Sequence, residues 1–190
     1  DVSHYRLAAH LSLAIIIYSL IFWALLNYES KFKLHFTKPT ILVLCLTILI
    51  LVQIIWGAFT SGLNAGLLYQ TWPLMNEKFI ADDVIIKNML SFESLSNPSY
   101  VQLIHRLLAY FIIFYTALIY FFYFKKIKIT KPFKLIFVAI FIQVLLGIFT
   151  LVSGLNMYLA SFHQIGSILL ISTTIYTLFY INNQQNLIDS

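Results

Sequence analysis

Five long apolar stretches limit what this chain can fold into. They run approximately over residues 7–27, 41–60, 101–123, 134–152 and 158–181. Each is about as long as the 20 residues that a helix needs to cross a hydrocarbon core of about 30 Å. None contains a proline, so a helix can satisfy its own backbone hydrogen bonds inside lipid. The sequence therefore predicts an all-α, polytopic transmembrane helix bundle with five spans.

The composition agrees with a chain that folds in lipid. Hydrophobic residues make up 61% of the 190 residues and charged residues only 10%, which excludes an ordinary water-soluble domain. The chain opens with Asp1 and has no basic region before its first apolar stretch, so we expect a fragment of a longer protein and no signal peptide. Cys45 is the single cysteine, which excludes an internal disulfide and the Cys-x-x-Cys-His pattern of covalently attached heme.

The basic residues indicate an orientation. Two loops share an excess of lysine: Lys31, Lys33 and Lys38 in one, and Lys125, Lys126, Lys128, Lys131 and Lys134 in the other. By the positive-inside rule, both loops face the cytoplasm or the mitochondrial matrix. The loop at 61–100 is then on the outer side. Because this topology accounts for the net charge of +5, no nucleic-acid partner is expected.

Carboxylates are confined to the regions outside the predicted spans. The seven acidic residues are Asp1, Glu29, Glu77, Asp82, Asp83, Glu93 and Asp189. An enzyme that uses a general base within the membrane would therefore have to carry that base on sequence outside this chain.

Three histidines share one predicted depth. His10, His105 and His163 each lie about one turn inside the outer end of a span, whereas His4 and His35 lie in flanking segments. An imidazole in lipid needs a partner in the bundle interior. That partner is either a hydrogen-bonding side chain or a metal, and three histidines at one level favour ligation.

Heme iron is the metal that fits best. Zinc usually takes four ligands, and no cysteine or carboxylate is near in sequence. Heme iron takes one or two axial imidazoles in an apolar pocket. Met75 or Met157 could supply a sulfur ligand instead. Arg6 and Arg106, the two arginines, are close to the histidines in sequence; they are placed either to pair with heme propionates or to reach the lipid headgroups.

An internal repeat predicts two similar helical hairpins. Residues 53–60 and 143–150 share the pattern Gln-x-x-x-Gly-x-Phe-Thr, and each copy precedes an outer loop and a span with a histidine near its start. Spans two to five would then form a four-helix bundle with the ligands on the second helix of each hairpin. The glycine lets either a macrocycle or another helix approach closely, so helix packing without a ligand remains an alternative.

The outer loop is rich in turn residues. The segments 62–67 and 72–76 contain glycine, asparagine and proline, which favour a folded loop over the helix ends. We expect this loop to cover the outer pocket, with a short interfacial helix at 82–92.

Five short stretches together resemble the heme A synthase family, in its proteobacterial and mitochondrial form. They are VSHYRLAAHL at 2–11, GLNAGL at 62–67, TWPLM at 71–75, HRLLAY at 105–110 and LASFHQ at 159–164. The family has eight spans in two pseudo-symmetric halves. The resemblance implies that residues 1–30 hold a span of an absent amino-terminal half, and that 31–190 are a four-helix heme-binding domain.

The resemblance also implies roles for residues. His105 and His163 would be the axial ligands of a heme b cofactor with Arg106 beside it, while His10 and Arg6 would bind the substrate, heme O. The family's essential glutamate is missing from this chain. The implied reaction of the parent protein is oxidation of a methyl group of heme O, through an alcohol, to the formyl group of heme A, with the oxygen coming from water or dioxygen.

The resemblance further implies a location and partners. The protein would lie among lipids in the bacterial or mitochondrial inner membrane, with its heme sites towards the non-cytoplasmic side. Heme O synthase, which is a farnesyltransferase, and cytochrome oxidase assembly proteins would be its partners. Two alternatives are a b-type electron-transfer cytochrome and a heme-free transporter or assembly scaffold, in which the histidines would bond to Gln or Tyr.

Overall fold

A computed structural model describes residues 3–28, 35–85 and 91–188, without the side chains of 92–93 and 185–188. Within these ranges it contains five long helices and no strand. The helices are α1 (His4–Leu26), α2 (Lys38–Gly62), α3 (Pro98–Ile119), α4 (Lys131–Val152) and α5 (Met157–Ile188). All five are long and apolar enough to cross a membrane, so the prediction of an all-α, five-span protein is confirmed.

Most of the helix ends lie outside the predicted spans, whereas α1 and α4 end within one residue of the predicted position. Proline occupies the first turn of α2, α3 and α4, where its missing N–H costs no hydrogen bond. The side chain of Asn97 caps α3 by accepting a hydrogen bond from Ser99 N at 3.0 Å. At its other end, α3 continues as a π-helix over Tyr120–Phe124. Hydropathy does not register such caps, which explains why the sequence placed these ends too far inside.

Helices α2 and α5 form the centre of the bundle. Helix α2 packs against α1, α3 and α5, and α5 also packs along α4 and α1. Val43, Leu46 and Ile50 of α2 are fully buried against Ile171 of α5. Helix α1 joins through Ala8 and Ile15 and through a hydrogen bond of 2.7 Å between Tyr18 Oη and Ser172 Oγ. The predicted division between 1–30 and 31–190 stays a prediction.

The outer loop is docked on the start of α3. Short 3₁₀ turns form at Ala65–Leu67 and Phe92–Ser96. The Tyr100 hydroxyl accepts a hydrogen bond from Ile85 N at 2.8 Å, and Gln102 Nε2 donates to Tyr69 O at 2.8 Å. The folded loop that the turn residues predicted is therefore present. Of the interfacial helix expected at 82–92, residues 86–90 lie outside the described ranges.

Asp83 is the charged centre of this docking. Its carboxylate accepts hydrogen bonds from Tyr69 Oη, at 2.7 Å, and from Ser99 Oγ at the start of α3. Desolvation raises the pKa of Asp83, but the hydrogen bonds from Ser99 and Tyr69 together outweigh it, and the pKa lies below its ordinary value. A carboxyl with a lowered pKa stabilises the folded loop at pH values above the ordinary pKa, and the contribution is lost as pH falls through the lowered one.

Acid is therefore expected to release the outer loop from α3. The protection factors of the amide hydrogens in residues 65–85, taken relative to an unstructured peptide at the same pH, should be high at neutral pH and fall once the pH drops below about 4, the ordinary carboxyl pKa. Asp83→Asn should lower these protection factors at neutral pH as well. Asp82→Asn is the matched control, since Asp82 forms an exposed ion pair with Lys78, a kind of contact that contributes little. Equal exchange in the Asp83 and Asp82 variants would contradict the role of Asp83.

Candidate functional site

His105 and His163 occupy corresponding positions in α3 and α5. Each is about two turns from the start of its helix, and each side chain is half-buried. His163 contributes to the electrostatic environment of His105. Two of the three histidines that the sequence placed at one depth are therefore within electrostatic range of each other.

Each of these histidines is held by the repeated glutamine of the helix before it. Gln53 Nε2 in α2 donates to the backbone carbonyl of His105 at 3.0 Å. Gln143 Nε2 in α4 donates to the backbone carbonyl of His163 at 2.9 Å. The sequence repeat is thus a repeated contact between the two helices of a hairpin. The sequence repeat did not reveal that the partners of these glutamines are the histidine carbonyls.

The repeated glycines form the surface on which the imidazole rings lie. A methyl group added at Gly57 would be 3.3 Å from His105 Cε1, and one added at Gly147 would be 3.0 Å from His163 Cε1. Both distances are shorter than the ordinary separation of about 3.5–4.0 Å between carbon atoms. An alanine at either position would therefore require the imidazole ring to shift by a few tenths of an ångström.

The polar atoms of this site fit a heme iron held by two imidazoles. Among the described residues, the Nδ1 atoms of both histidines and the Oε1 atoms of both glutamines are buried without a hydrogen-bond partner. Buried polar atoms are normally satisfied, so imidazole nitrogens without partners are suited to hold a metal. In the described part of the chain, no group of three or more His, Cys, Asp or Glu residues could hold a metal ion, whereas heme iron takes one or two axial imidazoles.

Arg106 fastens the outer loop beside His105. Its guanidinium donates to the carbonyls of Tyr69 at 3.0 Å, Leu74 at 3.1 Å and Pro73 at 3.4 Å. Over the described ranges, its Nε is buried without a hydrogen-bond partner. The sequence offered heme propionates or lipid headgroups as its partners and missed the loop carbonyls, which any residue type can supply.

His10 and Arg6 do not join the histidine pair. Both are exposed on α1, on the side of the helix away from the buried Ala8 and Ile15. Leu13 and Ile17 continue the same exposed face, at 58% and 48% exposure. This face of α1 is left uncovered by the part of the chain that the structure describes.

The two methionines considered as sulfur ligands have other surroundings. Met75 is buried in a small cluster of the outer loop with Ala81, Val84 and Leu103. Met157, the first residue of α5, is 69% exposed. Neither environment favours methionine over the two imidazoles as an iron ligand.

These features define a class of protein: a helical membrane protein with a two-histidine site built from two similar hairpins. Comparison with known sequences identifies the family. The sequence profile described as "Cytochrome oxidase assembly protein" matches residues 1–175. Heme A synthases of Pelagibacter ubique, Wolbachia pipientis subsp. Culex pipiens and Rickettsia prowazekii are 42%, 38% and 34% identical to the chain. The chain belongs to this family of heme A synthases, as its sequence motifs indicated.

The alignments cover different shares of this chain and of its relatives. Each of these three alignments includes 96% of the chain but only 54–56% of the relative. The chain therefore spans about half the length of the curated relatives it matches. No solved structure matches the chain.

Proposed function

We propose that this chain is the carboxy-terminal half of a heme A synthase and that His105 and His163 are the two axial ligands of a heme b. The observation that carries the proposal is the repeated contact at 53–57 and 143–147, which holds each of the two histidines in the same way within its own hairpin. Membership of the heme A synthase family supports the same assignment.

The proposed cofactor would supply one-electron transfer, because iron with two imidazole ligands has no open position for a substrate. The residues of this chain would hold and position the two ligands of that cofactor. Gln53 and Gln143 fix the backbone at the two histidines, and Gly57 and Gly147 make room for the rings. Arg106 holds the outer loop at the adjacent position, and its Nε–H, which is buried without a partner among the described residues, would be the donor to a propionate.

We assign the exposed face of α1 to the substrate. His10 and Arg6 lie on this face, where they would contribute to a heme O site that is completed by sequence outside this chain. The whole protein would oxidise a methyl group of heme O to the formyl group of heme A through a hydroxymethyl intermediate. The acidic side chains that the structure describes, Glu77, Asp82 and Asp83, precede α3 in the outer loop, so the intramembrane general base would also come from outside this chain.

The proposed setting is an inner membrane, bacterial or mitochondrial. The lysine-rich loops would face the cytoplasm or matrix, and the histidine pair would lie towards the opposite side. Heme O synthase and other cytochrome oxidase assembly proteins are the proposed partners. Family membership supports a role in cytochrome oxidase assembly.

The optical spectrum of the purified chain tests the proposal. We expect one heme per chain, with the sharp reduced bands of a low-spin, six-coordinate b-type heme. Extraction followed by a pyridine spectrum should identify unmodified heme b, because the substrate site is incomplete. A folded, colourless preparation that takes up no added heme would contradict the proposal and favour a heme-free scaffold.

A further inference from the structure

The end of the bundle opposite the outer loop carries a group of exposed lysines, which we call the lysine surface. Its members are Lys38, Lys125, Lys126, Lys128, Lys131 and Lys134. The acidic side chains that the structure describes, Glu77, Asp82 and Asp83, all lie in the outer loop at the other end. Within the described ranges, therefore, no carboxylate offsets the repulsion among these lysines. A surface with charges of one sign attracts a partner of the opposite sign.

Two parts of the chain that are distant in sequence form this surface together. Lys38 Nζ, at the start of α2, lies over the ring of Tyr123 at 5.4 Å from its centroid. Tyr123 belongs to the π-helix that leads into the other five lysines. Lys125 Nζ lies over the ring of Phe121 at 5.9 Å. Both distances are within the range of a cation–π contact, so a lysine of the first lysine-rich loop joins those of the second in one surface.

Buried side chains fix the turn that carries three of the lysines. Phe124 and Ile129 flank this turn and are both buried. Ile129 N donates a hydrogen bond to Phe124 O at 3.1 Å, and the ring of Phe124 packs on Phe133 of α4 with 4.4 Å between the centroids. The lysines between Phe124 and Ile129 are therefore exposed on an anchored backbone, and a partner that binds them has little backbone to order.

Exposed apolar side chains adjoin the lysines. Ile127 lies between Lys126 and Lys128 and is exposed, as are Phe121 and Phe122 just before the turn. Both phenylalanines belong to a helical segment that is long and apolar enough to cross a membrane. A soluble anion would contact only the lysines. A phospholipid offers a phosphate to the lysines and acyl chains to the apolar side chains, so it matches both parts of the surface.

We propose that the lysine surface binds anionic phospholipids, with the lysines on the phosphate groups and Phe121, Phe122 and Ile127 against the acyl chains. The inference is independent of the proposed heme site, which lies towards the other end of the bundle. A basic residue near an anionic lipid surface contributes about 1 kcal/mol, which corresponds to a factor of roughly 5 in affinity. Because the attraction is electrostatic, it weakens as the salt concentration rises.

Lipid titration of the full chain in a nonionic detergent tests the proposal. Native mass spectrometry should show that phosphatidylglycerol binds more tightly than phosphatidylcholine with the same acyl chains. The triple variant Lys125→Gln, Lys126→Gln, Lys128→Gln should lower the affinity for phosphatidylglycerol by about 100-fold. Arginine at the same three positions keeps the charge and should retain binding. Equal binding of the two lipids, or wild-type affinity in the glutamine variant, would overturn the proposal.

Lys78→Gln is the matched control for a single lysine. Lys78 is exposed in the outer loop, where it pairs with Asp82. Its replacement should leave the affinity for phosphatidylglycerol unchanged, whereas Lys126→Gln should lower it about fivefold. An equal loss in both variants would show that the lipid does not select the lysine surface, and the proposal would be wrong.

Inorganic phosphate distinguishes a lipid from a free anion. Added phosphate should displace phosphatidylglycerol no more than sodium chloride does at the same ionic strength. Ile127→Ser should weaken lipid binding although every lysine remains. Specific displacement by phosphate, or unchanged lipid affinity in Ile127→Ser, would assign the surface to a soluble anion and overturn the lipid assignment.

Discussion

Replacing His105 or His163 with glycine is expected to abolish the six-coordinate, low-spin heme spectrum. Either change removes one of the two imidazoles and leaves the iron with a single axial ligand. Removing a side chain that only hydrogen-bonds to a metal ligand lowers metal affinity by up to about 100-fold. Removing a ligand itself should lower heme affinity by more than this. The spectrum of the reduced protein and a heme titration measure both effects.

Free imidazole separates the loss of a ligand from a failure to fold. Each glycine variant leaves a space the size of the missing ring, and added imidazole should restore the low-spin spectrum if that ring was a ligand. His10→Ala is the matched control. His10 is at a similar position in its own helix but is exposed on α1, so its loss should leave heme binding by this chain intact. Loss of the spectrum in His10→Ala, with retention in His105→Gly, would show that the helices have been paired wrongly.

The bundle and its two similar hairpins were predictable because they depend on residue types. Lipid admits few backbone structures, so five apolar stretches are enough to indicate five helices. The repeat of Gln and Gly at 53–57 and 143–147 indicated two equivalent hairpins, and the structure shows equivalent contacts in both. His105 and His163 follow these copies in sequence, and each contacts the glutamine and glycine of its own copy.

Contacts to the backbone were not predictable in the same way. Arg106 is fixed by the carbonyls of Tyr69, Pro73 and Leu74, and every residue type carries such a carbonyl. The histidine carbonyls that bind Gln53 and Gln143 are hidden from a sequence pattern for the same reason. Sequence therefore indicated which side chains are candidates for the site, whereas the contacts that orient them became visible only in the structure.

The uncovered face of α1 agrees with the fact that the chain aligns with only about half the length of its relatives. Arg6, His10, Leu13 and Ile17 are exposed along one side of a helix, and a polar imidazole in lipid is costly unless another helix faces it. The relatives have almost as many residues again beyond the aligned part. We therefore propose that helices of the remaining half cover this face and bring the second ligand for the substrate heme.

Gly147→Ala is expected to have the second-largest effect, because the added methyl group would push directly on the ring of His163. The contact of 3.0 Å with Cε1 is tighter than the 3.3 Å at Gly57, so Gly147→Ala should weaken heme binding more than Gly57→Ala. Overpacking costs about 1–3 kcal/mol, which corresponds to a loss of about 5- to 150-fold in affinity. Heme titration and the low-spin resonance signal of the variants provide the measurement.

Gly62→Ala is the control for Gly147→Ala, because its added methyl group would clash with another helix away from the proposed heme site. The added methyl group would lie 2.8 Å from Cβ of His4, at the contact between α1 and α2, and His4 is not one of the proposed ligands. This variant should lower thermal stability while the heme spectrum stays that of the wild type. In a helix without such contacts, alanine is more favourable than glycine by about 1 kcal/mol. A lower heme affinity in Gly147→Ala would therefore not come from a weaker helix but from displacement of the His163 ring. Equal spectral changes in Gly62→Ala and Gly147→Ala would instead mean that the glycine at 147 serves helix packing and not the position of an iron ligand.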